Sequence, residues 1–181
     1  MRIKIDEQLK IPDGVEVKLD GGLVTAKGPK GESSKRIFCT NLIMDVKEGK
    51  VIMKSENATK HDKTMFYTAY SHIKNMLEGV SRGFVYKLKV CASHFPIKVS
   101  IADNVFAVKN FLGEKIPRTV KINPNVHVKI EGDIITVEGA DLEQTSQTAA
   151  NIEQISKVSN RDLRVFQDGI YITSKAGKPI Q

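Results

Sequence analysis

The chain has no tryptophan, and only 6% of its 181 residues are aromatic. Such a composition supplies little from which to build a platform that stacks successive single-stranded bases. Cysteine is nearly absent as well. Cys39 and Cys91 stand far apart in sequence, which gives no metal framework and fits a reducing cytoplasm. No apolar run of about 18 residues occurs, so a transmembrane helix is excluded. The opening MRIKIDEQLKIP places charges where a signal peptide needs its apolar region, and secretion is not expected. Low-complexity tracts are missing too.

What the chain does have is positive charge and a repeat. Against 21 Asp and Glu it carries 28 Lys and Arg, a formal net charge of +7. A basic surplus favours a polyanionic partner, either nucleic acid or an acidic membrane surface. From Lys87 to Lys129 there are eight Lys or Arg against only two Asp or Glu, a strongly basic stretch.

VEVKLDGGLVTAKGPKGESSKR (Val15 to Arg36) aligns without gaps onto IKVSIADNVFAVKNFLGEKIPR (Ile97 to Arg118), an offset of 82. Val17 falls on Val99, Lys27 on Lys109, Gly31 on Gly113, Glu32 on Glu114 and Arg36 on Arg118. Each copy reads as two strands and a Gly-containing loop, with an arginine opening the next strand. Further on, Val51-Ile52-Met53 corresponds to Ile134-Ile135-Thr136. The order of features is the same in both, which predicts a duplication.

Each copy closes with a helix. Met65, Ala69, Ile73, Met76 and Val80 recur at helical spacing over about His61 to Glu78; Leu142, Ala149, Ile152 and Ile155 do so over about Asp141 to Lys157. Asp141 and Glu143 sit where the helix dipole favours negative charge. Before the second helix, Val126, Val128 and Ile130 alternate with His127, Lys129 and Glu131, a half-buried strand pattern. The expected fold is therefore α+β, two tandem duplicated domains, each a mainly antiparallel sheet with one helix packed on it. Their boundary is expected within Gly79 to Gly83, giving domains 1–82 and 83–175. Residues 176–181 read as a polar tail, disordered unless bound.

Several segments are candidates for function. GPKGE (Gly28 to Glu32) reads either as a phosphate cradle or as a plain hairpin loop; it is not a Walker A loop, and strands flank it where a KH clamp has helices. In the second copy, Phe111 and Leu112 lie beside Lys109, Lys115 and Arg118, a loop anchored at its base with cations outward, facing phosphate or merely solvent. Arg82-Gly83-Phe84-Val85-Tyr86 starts like an RNP1 strand and then departs from it, so Phe84 and Tyr86 read as core residues of one strand face. None of the four histidines has a partner at metal-ligand spacing, and no GxSxG elbow is present. Asp168 invites a reading as general base, but its place in an Asp168-Gly169 turn accounts for it. In QISKVSNRDLRVFQDGIYITSK (Gln154 to Lys175), Arg161, Arg164 and Lys175 surround that turn, with Phe166, Ile170 and Ile172 to anchor it. Both turn residues tolerate positive φ, and Ile170-Tyr171-Ile172 then reads as the departing strand.

That last segment, with VTAKGPKGE, HIKNMLEGVSRGFVYKLKV, HFPIKV, NFLGEKIPR and QTAANIEQ, resembles the sixth large-subunit ribosomal protein family (L-six, called L-nine in eukaryotes). The likeness spans essentially the whole chain and is to the archaeal and eukaryotic branch, archaeal favoured. It implies a structural constituent of the large ribosomal subunit, without cofactor or catalytic role. The chain would bind large-subunit rRNA rather than DNA or membrane, close to the sarcin-ricin loop and stalk base, in the cytoplasm. Neighbours would be other large-subunit and stalk-base proteins, with translational GTPases nearby. By resemblance the RNA-binding role falls on Arg161, Arg164, Lys175 and Lys178; the basic-loop residues Lys109, Lys115 and Arg118 are added from their own pattern. A free-standing RNA-binding regulatory module is the alternative.

Overall fold

The computed structural model describes residues 3–38, 41–47 and 49–180; Cys39 lies outside them. The chain divides into two compact units, Met1–Gly83 and Phe84–Gln181.

In the first unit the strands are β1 (Ile3–Lys10), β2 (Glu16–Asp20), β3 (Leu23–Gly28), β4 (Gly31–Arg36), β5 (Ile43–Lys47) and β6 (Lys50–Ala58), followed by helix α1 (Lys60–Arg82). They form two antiparallel sheets, β1-β6-β5 and β2-β3-β4. Val51 and Met53 on one face of β6 are fully buried, as Val24 and Ala26 are on β3. Helix α1 starts in a capping box. Thr59 Oγ1 accepts from the Asp62 N–H, and Asp62 Oδ2 accepts in turn from the Thr59 N–H at 3.0 Å. The Thr59 N–H, and after it the Thr59 hydroxyl and Asn41 Nδ2, donate to the Asp62 carboxyl and hold it below its ordinary value.

The second unit holds β7 (Phe84–Cys91), β8 (Lys98–Ala102), β9 (Val105–Lys109), a 3-10 turn at Phe111–Gly113, β10 (Arg118–Lys121), β11 (Val126–Glu131), β12 (Ile134–Gly139), helix α2 (Leu142–Ile155), β13 (Gly169–Lys175) and β14 (Lys178–Pro179). Its sheets are β10-β9-β8 and β11-β12-β7-β13-β14, again antiparallel. Phe84, Tyr86, Leu88 and Val90 all point from one face of β7 into the core, which settles their reading as packing residues. Asp141 caps α2 by accepting from the Glu143 N–H at 2.8 Å.

The duplication holds, with two corrections to its register. The gapless offset carries β2 onto β8 and the start of β3 onto that of β9, and then breaks. Val24 pairs with Lys35 in the first unit, but Phe106 pairs with Val120 in the second, so the second hairpin is three residues longer. Arg36 therefore ends β4 while Arg118 opens β10, and the two are not equivalent. Likewise, the fully buried partners of Val51 and Met53 are Ile135 and Val137, while Ile134 is half exposed. A one-residue slip exchanges the faces of a strand. On α1 the apolar stripe begins at buried Phe66, one residue after exposed Met65.

Two loop readings also resolve. GPKGE is a hairpin: Gly28 pairs with Gly31, and the Lys30 N–H donates to the Val80 carbonyl at 3.0 Å. A Cβ on Gly28 would lie 2.5 Å from that carbonyl oxygen, so glycine is needed for close approach to the helix rather than to a phosphate. Of the expected tail, residues 176–180 turn back and pair with β13 instead of staying irregular, and Gln181 lies outside the described residues. Ala176 and Gly177 both have positive φ, the signature of a two-residue type I′ turn, and the Ile180 N–H donates to the Thr173 carbonyl at 2.9 Å.

Candidate nucleic-acid interface

Three loops of the second unit meet at one end of its sheets: 92–97 after β7, 110–117 after β9, and 156–168 after α2. Their junction is Asp168. It is 1% exposed, and its Oδ1 accepts from the Ser93 and His94 N–H groups at 2.5 and 2.9 Å while Oδ2 faces His94 Nδ1 at 2.5 Å. Burial works against the charged carboxylate, yet the His94 and Ser93 donors outweigh it and hold the Asp168 carboxyl below its ordinary value. An ionised Asp168 only accepts, so Nδ1 of His94 is the donor. This corrects the Asp-Gly turn: neither Asp168 nor Gly169 has positive φ, and Gly169 already pairs with Cys91 in β13. With both oxygens engaged, Asp168 is a clasp between loops, not a general base.

Above the clasp is a stack. The His94 ring lies on Phe166 with centroids 4.8 Å apart and planes 25° apart, and the Arg161 guanidinium sits 4.8 Å from the Phe166 centroid. Arg161 also helps hold Glu114 below its ordinary value, after the larger effect of the Arg118 bond, so loops 110–117 and 156–168 are electrostatic neighbours. Loop 110–117 is tied down from several sides. Phe111 is buried, Asn110 Nδ2 donates to the Pro96 carbonyl at 3.1 Å, and Leu112 is held at φ +48°, a conformation a leucine adopts only when its surroundings impose it.

Arg118 supplies much of that constraint. Nε and Nη2 donate to the two carboxylate oxygens of Glu114 at 2.8 and 2.6 Å, and Nη1 donates to the Ile155 and Lys157 carbonyls at the end of α2 at 2.9 and 3.1 Å. Its guanidinium also lies 4.3 Å from the Phe111 centroid. With four of five N–H donors committed, Arg118 is an internal fastener rather than a cation presented outward.

The remaining expected residues separate into two places. Lys109, Lys115, Arg161 and Arg164 are exposed at the loop end. Arg164 is half neutralised by Asp162, with Nε–Oδ1 at 3.2 Å and Nη2–Oδ2 at 2.9 Å. Lys175 and Lys178 face each other across the β13–β14 hairpin, about 20 Å along β13 from Gly169 at the usual rise of a strand. They do not join Arg161 and Arg164. Sequence reasoning missed Lys98, which stands directly opposite Lys109 in the β8–β9 pair. The gapless repeat held the clue, because it places Glu16 of β2 at the position of Lys98. Like charges opposite one another disfavour the fold unless an anion lies over them. Ile116, Leu163 and Val165 are exposed among these cations.

The edge of β13 beside the loops is closed by α2 rather than by a strand. Ser156 Oγ accepts from the Ile170 N–H at 2.8 Å and Glu153 Oε1 from the Ile172 N–H at 2.9 Å, which satisfies an otherwise open edge. The cations thus stand on a scaffold whose loops are fastened at both ends.

The family model described as "Ribosomal protein L6" matches residues 11–83 and 95–169, one span in each unit. Among curated relatives, the chain is 43% identical over 171 residues to "Large ribosomal subunit protein uL6" of Methanobrevibacter smithii, covering 94% of this chain and 96% of that protein. It is 43% identical over 173 residues to the protein of the same name in Methanosarcina mazei, covering 96% and 98%. The corresponding protein of Methanothrix thermoacetophila is 42% identical over 172 residues. With both repeats matched and archaeal relatives aligned over nearly their full length, the chain belongs to the ribosomal protein L-six family, in its archaeal form.

Proposed function

We propose that the chain is a structural constituent of the large ribosomal subunit, located in the cytoplasm, and binds large-subunit rRNA through its second unit, near the sarcin-ricin loop and stalk base. The observation that carries the reading is the loop end, where Lys98 and Lys109 at strand ends and Lys115 and Arg161 on fastened loops stand exposed with no ion pair among the described residues. Fixed cations suit a folded RNA. Duplex RNA hides its base edges in a deep groove, so proteins meet its phosphates, 2′-hydroxyls and shape. Phosphate contacts position the protein and release counterions, and loops already held by Asp168 and Arg118 lose less entropy on docking. Lys175 and Lys178 offer a second, separate contact. Other large-subunit and stalk-base proteins would be neighbours, with translational GTPases docking nearby. The family is a structural, non-enzymatic part of the ribosome, and no chemistry is proposed for the chain.

Co-sedimentation of the tagged chain through a sucrose gradient, followed by a high-salt wash, tests this reading. Stoichiometric presence in the large-subunit peak after the wash is expected. A chain left at the top of the gradient would overturn it and favour a free-standing RNA-binding module.

A further inference from the structure

Among the described residues of the second unit, no other element covers the solvent face of the five-stranded sheet, and its side chains are not those of an idle surface. Tyr171 of β13, 44% exposed, stands directly opposite Lys89 of β7. Its ring does not project from the sheet. It runs back over Gly169, where an added Cβ would lie 3.0 to 3.1 Å from Cζ, Cε2 and the hydroxyl oxygen. The hydroxyl donates to the Gln167 carbonyl at 3.1 Å. The ring is thus laid along the backbone with its far end anchored, while the residue as a whole stays 44% exposed. This is why position 169 is glycine although its φ is not positive.

Toward β7 the surroundings are cationic, whereas burial first, and then Cys91, Asp168 and Glu153, hold the Tyr171 hydroxyl above its ordinary value. Lys87 and Lys89 project from the same face of β7, about 7 Å apart at strand spacing. Lys129 lies in the row of Lys87, one strand beyond Thr136. All three lysines are exposed, and none has an ion-pair partner among the described residues. Glu131 on the edge strand β11 and Glu138 on β12 lie on the same face. Half-exposed Ile134 flanks Lys89 on the side away from Tyr171.

We propose that Tyr171 is a stacking platform for one unpaired nucleobase of the bound RNA, with Lys87 and Lys89 holding the adjoining phosphates. An aromatic ring accepts any base on its π-face, and neighbouring cations track the backbone. The unpaired lysines favour RNA over a protein partner for this face. Few aromatics rule out a platform for a run of bases; one preorganised ring suffices for one base. The proposal rests on the rRNA-binding reading and is tested separately from it.

Because the chain lacks tryptophan, Tyr171→Trp installs a single fluorescent reporter. The full chain is titrated with large-subunit rRNA stripped of protein, following filter retention for binding and tryptophan emission for stacking. Quenching that saturates with binding is expected, with Tyr171→Ala binding about 5- to 100-fold more weakly and Tyr171→Phe staying within about threefold of the native chain. Thermal melting checks that each variant folds. Retained binding without quenching, or equal losses in Tyr171→Phe and Tyr171→Ala, would overturn the stacking role and leave rRNA binding intact. Failure of the native chain to bind this rRNA would overturn both.

Discussion

The two units carry nearly the same charge and use it differently. Residues 1–83 hold 15 Lys and Arg against 11 Asp and Glu, and residues 84–181 hold 13 against 10, net +4 and +3. In the first unit strand lysines meet acids across the sheet: Lys27 lies 3.1 Å from Glu32, and Lys54 3.4 Å from Asp6. A like-charge row there, Lys10–Lys50–Lys47, is relieved by Asp45 beside Lys47. In the second unit Lys98 faces Lys109, while Lys87 and Lys89 share the open face of β7. Net charge therefore does not single out the unit proposed to face RNA; the placement of lysines on strands is what distinguishes it.

A second difference is in the chain path. After α1 the chain continues directly into β7 of the next unit, whereas after α2 it returns through loop 156–168 to add β13 and β14. The return loop and the three-residue lengthening of the β9–β10 hairpin produce the interface end. Additions to a duplicated scaffold, rather than the scaffold itself, carry the candidate function.

Breaking the clasp should have the largest effect. Asp168→Ala strands the Ser93 and His94 N–H groups, and a loss of about 3 kcal/mol is expected, read by denaturant unfolding. The same carboxylate sets an acid limit. Its folded pKa is depressed, so its contribution is complete above the unfolded value of about 3.9 and falls away as pH drops through the lower folded value. In Asp168→Asn that part of the stability loss below about pH 4 should disappear.

Next comes the arginine pair that a gapless repeat would treat as equivalent. Arg118→Ala should cost about 2 kcal/mol, because carbonyls at the end of α2 and Glu114 lose their donors. Arg36→Ala, at an exposed strand end, should stay within about 0.5 kcal/mol. Equal losses in thermal melts would restore the equivalence.

Smaller effects should appear in RNA binding without loss of stability. Lys98→Gln with Lys109→Gln should lower the slope of log affinity against log salt by about 0.7 to 0.9 for each phosphate no longer neutralised. Lys27→Gln in the first unit should leave the slope unchanged. Between the two loop arginines, Arg161→Ala should reduce the slope more than Arg164→Ala, since Asp162 already compensates Arg164. An equal reduction would show that the Asp162 pair opens on docking.

Much of the fold was legible in local pattern. Alternation marked β11, the helical stripes marked both helices, and the repeated order of features marked the duplication. The misreadings share a cause. Met65 for Phe66 and Ile134 for Ile135 are phase errors of one residue, which only packing against a facing element resolves. Asp168 looked like a turn residue because of its neighbour Gly169, while its partners lie 74 and 75 residues earlier in the chain. Arg118 looked like a surface cation because nothing nearby in sequence reveals the carbonyls at the end of α2.

By itself the sequence determined the duplication, the α+β class, the family and the surplus of positive charge, since each is written in composition or short-range spacing. Tertiary structure decided which cations are free to meet a phosphate and which are spent inside the fold. It also decided that Gly169 makes room for a tyrosine ring rather than for a turn. Those outcomes depend on groups brought together from distant parts of the chain, and their geometry is set by how the sheets pair and how the loops between them close.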